Sequence, residues 1–220
     1  MRTLTSRVTV RRLPERAVYD RAVIDAILDE ALICHVGFVH DGHPFVIPTI
    51  HGRDGDRLYL HGSSASRMLR ELGRGIPVCI TVTLLDGIVL ARSAFHHSMN
   101  YRSVVVLGTA DEVRDRNEQL RALEVISEHV IPGRWAEVRH PNERELRQTR
   151  ILRIGLDEAS AKIRSGGPKD DEGDLALPVW GGVFPVQLVA RAPLPDDHVP
   201  TQVGLPEYLR HHRLRADGDA

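Results

Sequence analysis

The chain has 220 residues, enough for one generous domain with its own core and no need of a disulfide staple. Its 29 basic and 30 acidic residues leave a formal charge of −1, which excludes a global field for nucleic acid or an anionic membrane. Cys34 and Cys79 lie in apolar runs and read as reduced core thiols; with no signal-type segment and no apolar run near about 18 residues, the sequence reads as a cytoplasmic soluble protein.

In chain order, residues 14–31 place Val18, Ala22, Ile24, Ile27, Leu28 and Ala31 near helical spacing, with Pro14 suited to a first turn, and the spacing predicts a docking helix. ALICHVGFV and PFVIPTIHG follow, separated by His40, Asp41, Gly42 and His43, where Asp-Gly is a strong hairpin signal. A second turn from Arg53 to Asp56 leads into RLYLHG, and the three runs read as a meander. Helical spacing returns in SASRMLRELG, with Ser64 or Ser66 to cap it and Gly73 to stop it. VCITVTLL and IVLARSA flank Asp86-Gly87, which reads as another hairpin, and SVVVLGTADEV supplies a further strand.

NEQLRALEVISEHV, from Asn117 to Val130, reads as an amphipathic helix with Leu120, Leu123, Ile126 and Val130 on one side. Asn142 to Gln148 reads as a short helix before the strand TRILRIGL. RSGGPKDDEG, from Arg164 to Gly173, is a charged loop, PVWGGVFPVQLVARAP a final interrupted strand, and the segment from Arg210 onward a frayed tail. Antiparallel strands at short spacing with helices between them predict a β-barrel with peripheral helices rather than a parallel sheet.

The stretch HGSSASR, His61 to Arg67, ends a strand in small residues and opens a helix. Free N–H groups at a helix start favour an anion, and Arg67 adds a fork suited to phosphate; the same residues also serve as an ordinary helix cap. The strand around Thr81 offers only backbone to a planar ring, and a plain core strand reads the same way. Polar residues from Phe95 to Ser103 crowd the entrance to the apolar run VVVLG, as either a site mouth or a solvated loop. Adjacent His96 and His97 cannot face one way on a strand, and no ligand cluster predicts a metal. No dinucleotide, P-loop or nucleophile-elbow motif is present. Trp180, after the loop and before two glycines, is either a core aromatic or a cover for a ligand or partner.

With LYLHGSSASRML, the run from Val78 to Gly108, ASAKIRSGGPKDDEGD and PVWGGVFPV in this order, the chain resembles the pyridoxamine 5′-phosphate oxidase-like flavoproteins, in the branch related to nitroimidazole-resistance reductases. The resemblance implies a mainly β (α+β) fold, a six-stranded antiparallel split β-barrel with peripheral helices, working as a homodimer. It divides the chain into an N-terminal arm (1–13), an FMN-binding domain (14–191) and a C-terminal tail (192–220). It implies FMN at the dimer interface, with the phosphate held by Ser66 and Arg67 and approached by His61 and Gly62. Pro48, Thr49 and Ile50 would run past the flavin, Thr81 would lie near its ring, and Tyr101 and Ser103 would contact it. Trp180 would be contributed by the partner subunit.

The implied activity is an FMN-dependent oxidoreductase acting on a small molecule, with NAD(P)H as a possible donor and with neither nucleic acid nor membrane as partner. Met68 follows Arg67 where the vitamin B6 oxidases usually carry lysine, and their substrate-binding arginine and histidine near the C-terminal end have no clear match after Trp180, which argues against pyridoxamine phosphate oxidation. Some nitroimidazole reductases place histidine where Arg67 stands. A flavin carrier or sensor, or a split barrel using deazaflavin or haem, are the alternatives. His61, His97 and Tyr101 are candidates for proton delivery.

Overall fold

The computed structural model describes residues 5–210, and the expected frayed tail beyond Arg210, like the first four residues of the arm, lies outside them. The expected first helix is divided. Pro14–Arg16 form a 3-10 turn, and Ala17–Val18 form a short strand β1. Helix α1 (Arg21–Glu30) starts only where the Asp20 carboxylate accepts the N–H groups of Ala22 and Val23, at 2.9 and 3.2 Å. A side-chain cap satisfies donors that an extended helix would have left to its own backbone. Ile24, Ile27 and Leu28 form its buried stripe.

Strands β2 (Ile33–His40) and β3 (His43–Ile50) form the expected hairpin, with Asp41 and Gly42 both at positive φ, 50° and 76°. The meander then fails. β4 (Gly52–Asp54) pairs with β5 (Arg57–Ser63), and the other edge of β5 takes β8 (Thr149–Gly155), not β3. Turn chemistry sets each hairpin locally, whereas the second neighbour of β5 is chosen by the core it shares with a strand far along the chain.

The second correction concerns Asp86-Gly87. No turn forms there: β6 runs without interruption from Pro77 to Leu90 beside β7 (Ser98–Glu112), with a register shift between Leu85 and Gly87. The dipeptide is a bulge. Gly87 is needed because β10 (Gly182–Pro185) pairs on that edge, and a Cβ at Gly87 would lie 2.9 Å from Val183 Cγ1. Asp86 is held by Arg102, which leaves it unavailable for a turn.

The sheet order is β3-β2-β6-β7-β8-β5-β4. β9 (Glu158–Arg164) joins β7 on the edge that β8 also uses, and β1 extends β9. The fold is therefore α+β, an antiparallel split barrel whose ladder is not closed. Its ten strands exceed the expected six because short strands add at the edges, β1 to β9, β4 to β5 and β10 to β6.

Alternation along β6 and β7 turns Ile80, Val82, Val104 and Val106 into a core with Leu28, Val36, Leu60, Leu69 and Ile154. Each fully buried Leu or Ile contributes about 1.5–3 kcal/mol. A second core packs helix α3 (Arg116–Val130), through Ala122 and Ile126, on Tyr59 and Ile151. Helix α2 (Arg67–Leu72) lies over the first core, and α4 (Glu143–Gln148) starts at the capping box of Asn142 and Glu145. The C-terminal α5 (Glu207–Arg210) docks through Tyr208, whose hydroxyl donates to Glu137 at 2.7 Å.

Of the two thiols, Cys34 is buried in the core as expected. Cys79 is half-buried and lines an open cleft with Phe38, Phe45 and Leu107.

Candidate functional site

Register across the sheet brings five of the expected residues to one face. Pro48 stands opposite His35, His35 opposite Thr81, and Thr81 opposite Val105. Paired residues share a face and alternate along each strand, so Pro48, Ile50, Thr81, Tyr101 and Ser103 lie on the same outer side, while Thr49 takes the opposite one with Cys34. This outer face is unusually apolar for a surface: Ile33, Val39 and Val46 are 53%, 58% and 67% exposed, and Leu85 is exposed beside them.

The turn before α2 is built as a helix cap by its serines. The Ser66 hydroxyl oxygen accepts the Leu69 N–H at 3.5 Å, and the Ser63 hydroxyl oxygen accepts that of Ala65 at 3.2 Å. The first N–H groups of a helix have no intrahelical acceptor, and here Arg70 is the first to bond back, to Ser66 O at 3.0 Å. Gly62 lets α2 close onto β5, since a Cβ there would sit 3.1 Å from Leu69 Cδ1.

Arg67 is exposed, and among the described residues no carboxylate pairs with it. Its guanidinium lies over the Phe45 ring, 4.3 Å from the centroid, a partner that the sequence did not signal because Phe45 is 22 positions away on β3. His61, at the end of β5, is half-buried, and burial pushes its pKa down, so the ring is neutral. Its Nδ1 is buried with no hydrogen-bond partner among the described residues.

Other expected contacts are partly committed. The Ser103 hydroxyl donates to Lys162 O at 3.2 Å, leaving its lone pairs free to accept. His97 Nδ1 lies 3.0 Å from Ser93 O and 3.3 Å from Ala91 N, fixing the turn before β7. Arg102, next to Ser103, is clamped between Glu30 and Asp86 at 2.8 and 2.7 Å. Hydrogen bonds to Glu30 and then Asp86 hold its pKa above the ordinary arginine value, so it is a structural cation rather than a free one.

Trp180 is not brought to the others within one chain. It precedes β10 and packs against Gly182, which pairs with Leu90 at the far end of β6. Nine strand positions separate Leu90 from Thr81, a span of about 30 Å. Trp180 remains 65% exposed.

Residues 20–163 match the family model described as pyridoxamine 5′-phosphate oxidase. The chain belongs to the pyridoxamine 5′-phosphate oxidase-like family. Among solved structures, the flavocytochrome Anf3 of Azotobacter vinelandii is similar at 40% identity and TM-score 0.90, with 96% of this chain and 98% of that chain covered. A FAD and haem binding protein of Mycobacterium smegmatis is similar at 36% identity and TM-score 0.87, over 91% of this chain and all (100%) of that chain. A protein assigned to 5-nitroimidazole antibiotic resistance in Bacteroides thetaiotaomicron shares 26% identity at TM-score 0.55, over 67% and 86% of the two chains. No match was found among curated proteins. In this member of the pyridoxamine 5′-phosphate oxidase-like family, Met68 lies on the buried face of α2, so the position after Arg67 serves the core and carries no second cation.

Proposed function

We propose that this chain binds a flavin nucleotide and acts as an oxidoreductase on a small molecule, as a homodimer. The observation that carries the reading is Arg67: an exposed guanidinium without a carboxylate partner among the described residues, held over Phe45 beside the serine-rich turn. These groups suit the phosphate that follows the flavin ribityl chain. That phosphate is common to FMN and FAD, so Ser66 and Arg67 serve either, and the FAD named for the Mycobacterium smegmatis protein favours testing both.

A bound flavin supplies hydride or electron transfer at its ring. The chain's own part is to bind and orient. Arg67 and Ser66 hold the phosphate, and the outer face with Thr81, Tyr101 and Ser103 lies against the ring; His61, paired with Ile151, shares the α3 side of β5 with Tyr59 and takes no part through its side chain. The exposed apolar surface of β2 and β3 becomes covered when a second copy docks. Trp180 of the partner subunit would be the tryptophan that reaches the ring, since the chain's own Trp180 is a strand length away.

Purified protein is expected to be yellow and to release about one flavin per chain, with chromatography assigning FMN or FAD. Protein that is colourless and takes up neither overturns the reading. Anaerobic mixing with NADH or NADPH, followed by a quinone or nitroaromatic, distinguishes turnover from a carrier, and light scattering reads the dimer.

A second reading adds haem, making the chain a flavocytochrome. It is favoured because the two relatives at 40% and 36% identity are named for a flavocytochrome and for FAD and haem binding. A Soret band in protein isolated from a haem-replete host supports it, and flavin absorbance alone after haem reconstitution removes it.

A further inference from the structure

A cleft opens between the N-terminal arm and the start of β7, far from the Arg67 turn. It is lined by Arg12, Arg16, Arg164, Lys169, His96 and Phe95, among others. Ten strand positions, about 30 Å, separate Ser98 at this cleft from Gly108, which lies in the cleft beside Phe45.

Arg164 forms the floor. It is 7% exposed, yet its guanidinium meets no carboxylate among the described residues. Its Nη1 donates to Asn100 Oδ1 and, at 3.2 Å, to Gly166 O, and its Nη2 donates to Gly167 O at 3.1 Å. These acceptors are neutral: they orient the fork and leave its charge uncancelled. Burial and then the nearby Arg16 push the Arg164 pKa down, a sign that the two cations repel.

A buried guanidinium beside a like charge is unfavourable unless an anion joins it. The acids nearest in sequence to Lys169 are already engaged. Asp170 accepts from Arg92 N at 2.7 Å and Arg92 Nη1 at 2.8 Å, and Asp171 lies 3.1 Å from His96 Nε2. The side chains of Arg12, Arg16 and Lys169 make no ion pair among the described residues. At the rim, Phe95 is 88% exposed, with the His96 ring edge-on at 5.1 Å. A flat apolar surface next to fixed cations calls for a ligand with both features.

We propose that this cleft binds the paired oxyanions of a planar-ring ligand, two carboxylates or two phosphates, on Arg164 and its neighbouring cations, with the ring against Phe95. Two sources carry this chemistry: the propionates of haem and the diphosphate of an adenine nucleotide. The haem source rests on the flavocytochrome reading, and the nucleotide source does not.

The test uses the full chain with its flavin and a double variant, Arg16→Gln with Lys169→Gln, which leaves the buried Arg164 in place. Both proteins are titrated with haemin, read by the Soret band, and with ADP, read by calorimetry; flavin content and circular dichroism are recorded for each. The expected result is that at least one ligand binds the wild type and is weakened about tenfold or more in the variant, with flavin content and dichroism unchanged. Loss confined to haemin assigns carboxylates, and loss confined to ADP assigns phosphates. Failure of both ligands to bind the wild type, or equal binding by the variant, overturns the cleft as an oxyanion site. Flavin content is measured independently, so a protein without flavin counts against the proposed function and leaves the cleft titrations to decide the cleft.

Discussion

His51 and His129 lie ring against ring within the fold, centroids 4.7 Å apart and planes tilted by 47°, and both rings close the end of the same helix. His51 Nε2 donates to Leu28 O at 3.0 Å and His129 Nε2 to Ala31 O at 2.9 Å, satisfying carbonyls at the end of α1 that have no acceptor role within the helix. The two rings join α1 to α3 across the start of β4. Both are neutral: burial, then the neighbouring His129, pushes the His51 pKa down to about 4, and burial also lowers that of His129.

The sign of the pH dependence follows from that depression. The unfolded chain takes up a proton near the ordinary histidine pKa of about 6.5, whereas folded His51 resists protonation until about 4. Stability is therefore fully present above about 6.5 and falls as pH drops toward 4, by about 2–3 kcal/mol from His51 alone. Urea unfolding at pH 7.5 and pH 5 measures this. His51→Gln retains an N–H donor for Leu28 O and is expected to flatten the slope; an unchanged slope would remove His51 as its cause.

Arg67→Ala is expected to weaken flavin binding by about 1.5–3 kcal/mol, roughly ten- to a hundredfold, through loss of a charge-assisted phosphate contact. The change lies on an exposed face, so unfolding temperature should move little. Fluorescence titration with FMN and with FAD reads the affinity, and Arg67→Lys should recover only part of it because the planar fork is lost. Equal affinity in all three proteins would exclude Arg67 from the site.

Gly52→Ala is expected to destabilise the fold by about 1–3 kcal/mol. A Cβ at Gly52 would lie 2.9 Å from both Ile126 Cα and Ile126 N, and helix backbone cannot yield as a side-chain tip can. α3 must move off β4. Thermal unfolding measures the loss, and a compensating Ile126→Ala is not expected to restore it, because the clash is with main chain.

The two thiols should separate chemically. Burial pushes Cys34 up to about 12 and raises Cys79 less, and Cys79 opens onto a cleft whereas Cys34 is fully buried. At pH 8 the folded protein is expected to label with iodoacetamide slowly at Cys79 and not at Cys34, and at both once unfolded. Peptide mapping reads the order, and prior labelling of Cys34 would contradict the packing described.

Elements set by neighbouring residues were legible from the sequence alone. Asp41-Gly42 sets the β2–β3 turn, Asn142 with Glu145 starts α4, and Leu123 and Ile126 of α3 are buried where the spacing places them, because turns, caps and helical periodicity are decided within a few residues. The order of the segments that carry the resemblance was legible too, and with it the family. Tertiary structure alone decided the rest. Asp86-Gly87 has the same local chemistry as Asp41-Gly42, yet it continues a strand, because Arg102 holds the aspartate and β10 pairs along that edge. The second neighbour of β5, the seat of Arg67 on Phe45 and the burial of Arg164 against Asn100 likewise join residues distant in the chain. Such contacts form through shared burial and charge pairing across the sheet, and no local pattern encodes which distant residue arrives.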